Sequence, residues 1–271
     1  MIEAQQKIQV IFYSNFTDDN RRLEFDLFNG SVNQKLWASE WYCVRIAGLD
    51  INTFREELEM KSHATETQST SAPEGETKHR DYLTPSSPRE TTFVSPIRVQ
   101  KAPDAAEFCN HLNRLLDGFF IQGKGALDIL AHQISLLYHC ERCPTKIYIE
   151  YINGKILDSH HNSELRKLLD CRLTEDWFKE FLPFRHCATH ESLLIPNVPL
   201  IWNHLKGEYN QPEIILPDNP QTKPTTRFKN WEVSSHCQFI LSKIQSLIVE
   251  IYETILVDAE RANNKFPIPS N

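Results

Sequence analysis

Apolar residues recur three and four positions apart along much of the C-terminal half of the chain, which is the spacing of one face of an α-helix. One such stretch opens at Pro103-Asp104 and continues to about Cys140. A second runs from Thr174 to Ser192, and a third starts at Ser234 or Ser235 and carries a wide apolar face to Ile255. A shorter helix is predicted from Ser163 to Leu169. The pattern therefore predicts a helical bundle over residues 100–262.

The start of the chain shows a different pattern, in which apolar and polar residues alternate. Lys7 to Ser14 alternate in this way and contain β-branched and aromatic residues. Leu23, Phe25 and Leu27 alternate with acidic residues. Alternation with this composition is typical of strands. Both stretches are predicted to be strands, so residues 1–58 are predicted to form a small β/α unit.

A helix is predicted in the second half of this N-terminal unit. Ser31 with Gln34 three residues later fits a capping box, which marks a helix start. Trp37 and Trp41 follow at positions i and i+4. Their spacing favours a packing stripe over a binding platform.

Two polar segments interrupt these elements. Residues 59–99 are rich in Ser, Thr, Glu and Pro and poor in aliphatic residues, so they are predicted to form a mobile linker. Glu213 to Leu216 and Thr226 to Trp231 flank a proline-rich turn and predict a small β-hairpin inserted before the last helix. The predicted fold is mainly α.

Composition narrows the functional classes. The net charge is −7, so any contact with RNA has to be local. The eight glycines form no phosphate-binding loop of the Walker or dinucleotide type, which argues against a nucleotide-hydrolysing motor. The seven cysteines are scattered, and the sequence shows neither an apolar leader nor an apolar run long enough to span a membrane. These features predict a cytoplasmic protein with reduced thiols. No cofactor is predicted.

A metal site is considered at the end of the first long helix and is not predicted. His139, Cys140 and Cys143 resemble half of a zinc site, but no second pair follows at a related spacing. His160-His161 is the only nearby supplement.

The segment from Phe184 to Glu191 is the one place where the sequence indicates catalytic chemistry. It contains Arg185, a second polar residue His186, three further residues and His190. Arginine provides a planar cation that suits phosphate, and histidine carries a proton near neutral pH. In an α-helix Arg185 and His190 lie roughly 140° apart, whereas His186 and His190 are nearly aligned. The same residues also fit an ordinary helix end, where cations favour the helix dipole.

This segment resembles the motif of the HEPN superfamily, helical bundles named for nucleotide binding in higher eukaryotes and prokaryotes. The family pattern of Arg, a polar residue, three spacers and His matches residues 185–190. Residues 115–120 and 126–131 are similar to the core helices of the family, and the resemblance spans roughly residues 100–260. It implies a metal-independent endoribonuclease with a toxin or phage-defence role, in which members dimerise to form a shared cleft. Arg185 would clamp the scissile phosphate, His190 would act as acid and base, and His186 would position the substrate.

Two other interpretations remain open. In one, a HEPN-like module binds RNA or a protein without catalysis. Arg185 would then pair with a buried carboxylate such as Asp128, which otherwise is expected to face solvent or cap a kink. In the other, a helical scaffold uses a large apolar surface for assembly. Family members that pair with a nucleotidyltransferase antitoxin often carry Tyr two places after the motif His, where this chain has Ser192. The resemblance implies an antitoxin or defence partner. Because Ser192 replaces the tyrosine, we do not expect the ribonuclease to be inactivated by modification at that position.

Overall fold

A computed structural model describes residues 1–69, 103–139, 147–155, 157–191, 196–203, 205–217, 220–221 and 228–268. The α-helices are α1 Ile2–Asn15, α2 Asp19–Ala47, α3 Ile51–Ser69, α4 Pro103–His139, α5 Ile152–Lys155, α6 Glu164–Arg172, α7 Asp176–His186 and α8 Val233–Arg261. A 3₁₀ turn, Ile149–Tyr151, precedes α5, and a π-helical segment, Cys187–Glu191, continues α7. The strands are β1 Ile201–Asn203, β2 Glu208–Asn210, β3 Ile215–Pro217 and β4 Phe228–Glu232. The chain is mainly helical, as the sequence predicts.

The chain divides into two compact units. The first comprises Met1–Gly48, Leu112–Asn197 and Ile214–Asn271, and the second comprises Leu49–His111 and Val198–Glu213. The first residues of the chain therefore belong to the same unit as most of the predicted bundle. The predicted boundary after residue 58 differs from this division, because α1 and α2 pack on α8.

The core of the first unit forms around α8, which packs against α1, α2, α6 and α7. The α4 helix joins the same core: Tyr252 of α8 donates a buried hydrogen bond to Gln133 of α4 at 2.8 Å. A Cβ atom at Gly123 would lie 2.9 Å from Cδ1 of Ile244, which is too close for any other residue without a shift. The helices α4 and α8 therefore approach closely at Gly123.

The two N-terminal strand predictions are wrong, because both stretches are helical. In α1 the buried apolar residues are Ala4, Ile8 and Phe12, at helical spacing, while Val10 is exposed. In α2 Phe25 is buried and stacks on Phe12 with ring centroids 4.6 Å apart. A strand would have placed Phe25 on the same face as Leu23 and Leu27, which are exposed.

The helix predicted to carry the tryptophans is confirmed as part of α2, but its predicted start and the predicted role of the tryptophans are wrong. The helix does not start at Ser31, since α2 begins after Asp18, whose carboxylate accepts a hydrogen bond from the Asn20 N–H at 2.9 Å. Trp37 is 67% exposed and Trp41 is 42% exposed, so they do not form a packing stripe. The opposite face of α2 supplies the core contacts instead.

The second unit contains α3, the start of α4 and one hairpin. Asn52 exchanges two hydrogen bonds of 2.8 Å with the backbone of Tyr209 in β2. The ring of Phe54 packs against Phe108 with centroids 5.7 Å apart. The β1–β2 hairpin was not predicted from the sequence.

The hairpin predicted before the last helix is confirmed in the first unit. Strands β3 and β4 pair antiparallel, with Ile215 opposite Glu232 and Pro217 opposite Phe228. The predicted linker, residues 59–99, is helical up to Ser69 because α3 continues to that residue. The remainder of that linker lies outside the described residues. No helix in the described part of the chain combines the length and apolar character needed to cross a membrane.

Candidate functional site

The helix that carries the predicted motif is anchored by aromatic side chains. Trp177, Phe178, Phe181 and Phe184 of α7 are buried. Phe184 stacks on Phe120 of α4, with ring centroids 5.1 Å apart and an angle of 14° between the planes. This packing fixes the last turn of α7, where the motif begins.

An ionic network fixes the start of the same helix. Arg172 of α6 donates two hydrogen bonds to Glu250 of α8, at 2.7 and 2.8 Å, and a third to Glu175 at 2.5 Å. Glu175 also accepts a hydrogen bond from the indole of Trp177 at 2.8 Å. The carboxylates beside Arg172 raise the pKa of its guanidinium and hold the pKa of Glu175 below its usual value.

Arg185 differs from Arg172 in its surroundings. Its side chain is half-buried in the last turn of α7. Among the described residues, its guanidinium has neither a hydrogen-bond acceptor nor a carboxylate partner. A cation at this end of a helix is favoured by the helix dipole. Arg185 is therefore available to an anionic ligand as far as the described residues define its surroundings.

The backbone changes its helical form immediately after Arg185 and His186. The helix continues through Pro183. From Cys187 the chain is π-helical. The hydroxyl of Thr189 donates to the carbonyl oxygens of Arg185, at 3.0 Å, and of His186, at 3.3 Å. Short π-helical segments inside helices often mark functional sites.

A π-helical turn also alters the expected relation between positions 185 and 190. Its hydrogen bonds join residues five apart, so more residues complete a turn than in an α-helix. The angle about the helix axis between residues five apart is therefore smaller than the roughly 140° predicted for an α-helix. The backbone of His190 lies in this segment, but its side chain lies outside the described part of the chain. Convergence of Arg185 and His190 stays a prediction. The side chain of His186 is exposed.

Asp128, one proposed partner of Arg185, has other contacts. It forms an ion pair with Lys124 and accepts a hydrogen bond from the Ile149 N–H at 3.2 Å. Lys124 is 1% exposed and forms a second ion pair with Glu150 at 2.8 Å. Burial raises the pKa of Asp128, although the ammonium of Lys124 opposes the rise. Neither the solvent-facing interpretation of Asp128 nor the pairing with Arg185 describes this arrangement.

A second buried carboxylate, Asp258, was not predicted from the sequence. Asp258 of α8 accepts hydrogen bonds from the hydroxyls of Tyr138, at 2.7 Å, and Ser163, at 2.6 Å. It also accepts from the N–H groups of Glu164, at 2.9 Å, and Leu165, at 3.2 Å, at the start of α6. An acid on the apolar face of α8 is the sequence signal that points to such a role. A cavity of about 140 Å³ adjoins Asp258, and neither Arg185 nor His186 lines it.

Among the described residues, no three His, Cys, Asp or Glu side chains are grouped so that they could hold a metal ion. Cys140 and Cys143, considered as half of a zinc site, lie outside the described residues. His160 is buried and contacts the rings of Tyr138 and His139, with centroids 5.2 and 5.5 Å apart.

Comparison of the chain with protein-family models, with curated proteins and with solved structures finds no match. The HEPN resemblance therefore rests on the motif residues and on the helical character of the chain.

Proposed function

We infer that the chain is a metal-independent endoribonuclease of the HEPN type, in which Arg185 binds the scissile phosphate and His190 transfers protons. The observation that carries this proposal is the half-buried Arg185 guanidinium, which no carboxylate among the described residues neutralises. In a protein with a net charge of −7, such a cation provides a local attraction for phosphate. The proposed role is that of a toxin or phage-defence ribonuclease in the cytoplasm, controlled by an antitoxin or defence partner.

The proposed reaction is an internal transfer of the phosphoryl group. The 2′-oxygen of the ribose attacks the adjacent phosphorus as a base removes its proton, and the bond from phosphorus to the 5′-oxygen breaks. The departing 5′-oxygen takes up a proton, which leaves a 2′,3′-cyclic phosphate and a 5′-hydroxyl. His190 is the proton-transfer group, and two such groups are available if a second copy contributes its own motif. Arg185 stabilises the charge that grows on the phosphate oxygens.

The local structure suits this role in two ways. The stacking of Phe184 on Phe120 holds the last turn of α7, so the Arg185 backbone is positioned without a contact from its own guanidinium. The π-helical segment brings position 190 nearer to the side of position 185 than an α-helix would. His186, exposed beside Arg185, is the proposed substrate-positioning residue.

The test is cleavage of mixed-sequence RNA by the purified chain in the presence of EDTA. The variants are Arg185→Ala and His190→Ala, with Arg114→Ala as the matched control because Arg114 is an exposed arginine on α4. We expect wild type and Arg114→Ala to release cyclic phosphate ends, and the two motif variants to be slower by about 10²-fold or more. Intact RNA with folded wild-type protein, or equal cleavage by all the variants, would contradict the proposal.

A second candidate function is a non-catalytic module that binds a protein. The specific observation in its favour is the exposure of Trp37 and Trp41, since aromatic residues are enriched in protein interfaces. In that case Arg185 and His190 are not needed for activity, and RNA remains intact in the assay above. Partner binding would then depend on the tryptophans instead of on Arg185.

A further inference from the structure

The α2 helix carries two apolar stripes on opposite faces. The buried stripe packs in the first unit and consists of Phe25, Val32, Leu36, Ser39, Cys43 and Ile46. The exposed stripe consists of Leu23, Leu27, Gly30, Gln34, Trp37, Trp41 and Val44. Residues two apart on a helix differ by about 200°, so the two stripes point in opposite directions.

The exposed stripe has the spacing of a coiled-coil seam. Its seven positions are separated alternately by four and three residues, which is the heptad pattern of core positions. Five of the seven residues are Leu, Trp or Val, and all seven are exposed. Among the described residues, the ring of Trp41 contacts the ring of Tyr42 and the guanidinium of Arg45, both on its own helix. A seam of this kind is built to face another helix.

We propose that this face binds α2 of a second copy of the chain, in an antiparallel pair. The seam contains two kinds of position: the next seam residue lies either three or four residues further on. In an antiparallel coiled coil, a position of one kind faces a position of the other kind on the partner helix. With the two-fold axis between Gln34 and Trp37, Trp41 faces Gly30 of the other copy. Leu27 faces Val44, and Gln34 faces Trp37.

Side-chain size supports this register. Gly30 leaves open space, because no atom lies within 4 Å of the position of a Cβ atom there. The largest side chains of the stripe, Trp37 and Trp41, lie in its second half, and Gly30 lies in its first half. Only an antiparallel arrangement places a tryptophan over the glycine. A parallel pair would set Trp against Trp and Gly against Gly.

Charge supports the same arrangement. Glu24 and Arg45 flank the two ends of the stripe on the same side of the seam. In the antiparallel pair Glu24 of one copy lies beside Arg45 of the other, and the two-fold axis repeats the contact. In a parallel pair the two residues would be separated by 21 positions, or about 31 Å along the helix. The dimer is expected whether or not the chain cleaves RNA.

The test begins with the mass of the full chain in solution. Analytical ultracentrifugation of the chain at about 1 to about 100 μM is expected to show a dimer, with a dissociation constant below about 100 μM. Trp41→Glu is expected to weaken the dimer by about 30-fold or more, as a central aromatic does in an interface. Val10→Glu is the control, since Val10 is an exposed apolar residue on α1. Because Val10 lies on α1 and outside the stripe, this variant is expected to leave the dimer unchanged.

Two rescue experiments test the register. Gly30→Trp removes the space for Trp41 and is expected to weaken the dimer, while Gly30→Trp with Trp41→Gly re-creates the large-over-small layer and restores it. Glu24→Arg or Arg45→Glu alone is expected to weaken the dimer several-fold at low salt, and the double exchange is expected to restore it. Circular dichroism checks that each variant is folded.

Three outcomes would overturn the proposal. They are a folded wild-type chain that stays monomeric at about 100 μM, a dimer that survives Trp41→Glu, and a dimer that neither exchange rescues. A monomer whose tryptophans are shielded from a soluble quencher would show that another part of the same chain covers the stripe, which also overturns it.

Discussion

Lys124 and Arg185 are both cations on helices of the first unit, but their surroundings differ. Lys124 is 1% exposed and is held by the carboxylates of Asp128 and Glu150. Arg185 is half-buried and meets no carboxylate among the described residues. A buried cation requires charged partners to offset the loss of hydration. A cation without such partners retains its charge for a ligand, so the surroundings of a basic residue indicate its role better than its place in a motif does.

The largest effect is expected for Lys124→Met. It leaves the partly buried Asp128 and Glu150 without their shared cation, so we expect the free energy of unfolding to fall by about 3–5 kcal/mol. Urea unfolding measures this change. The matched control is Lys179→Met, since Lys179 forms only an exposed pair with Asp176 at 4.0 Å. The control should lose less than about 1 kcal/mol. Equal losses in the two variants would remove the distinction between a buried and a surface lysine.

Arg185→Ala is expected to have the opposite profile. RNA cleavage should fall by about 10²–10³-fold because charge on the phosphate is no longer stabilised. The free energy of unfolding should fall by no more than about 1 kcal/mol, since the guanidinium has no partner among the described residues and loses chiefly its interaction with the helix dipole. Chemical denaturation and cleavage are measured on one preparation. A large loss of stability would show that Arg185 has a structural role.

A smaller effect is expected for His186→Ala. This exposed side chain is proposed to position substrate, and the loss of one hydrogen bond to a charged group corresponds to roughly a tenfold fall in kcat/KM. Initial rates at several RNA concentrations measure it. We expect the change to fall mainly on KM. A fall in kcat as large as that for His190→Ala would assign His186 to catalysis instead.

The smallest effect concerns pH and His132. This histidine stacks on Phe28, with ring centroids 5.8 Å apart, and burial lowers its pKa below the usual 6.5. The unfolded chain therefore binds this proton at a higher pH than the folded chain does. The stabilising contribution is complete above pH 6.5 and is lost as the pH falls through the lowered pKa. One group changes the free energy of unfolding by at most about 1.4 kcal/mol per pH unit.

Unfolding of wild type and His132→Gln between pH 7.5 and 5 checks this prediction. We expect the wild type to lose more stability than the variant as the pH falls. Parallel curves would show that His132 does not contribute.

The long helices α4 and α8 could be predicted from the sequence because each has one continuous apolar face. The start of α2 could not, because this helix has apolar residues on two opposite faces. Leu23 and Leu27 lie on the exposed face and Phe25 on the buried face, so together they imitate the alternation of a strand. The exposed face of a helix contributes to the apolar pattern but not to the core, and a local pattern does not distinguish the two.

The candidate site shows the same limit. The position of Arg185 near a helix end could be predicted because it depends on local spacing. The Lys124 cluster could not, because Glu150 is 26 residues from Lys124 in the chain. Asp258 and Ser163 are separated by 95 residues. Such contacts depend on tertiary packing, which no local pattern contains.

The most direct test of the division between a structural Lys124 and a phosphate-binding Arg185 is the rate of RNA cleavage in EDTA per folded molecule for the two variants. We predict that Lys124→Met, measured where it remains folded, cleaves within about threefold of wild type, while Arg185→Ala is slower by about 10²-fold or more. If Arg185→Ala cleaves as fast as wild type, Arg185 does not bind the scissile phosphate, and the proposed ribonuclease mechanism is wrong.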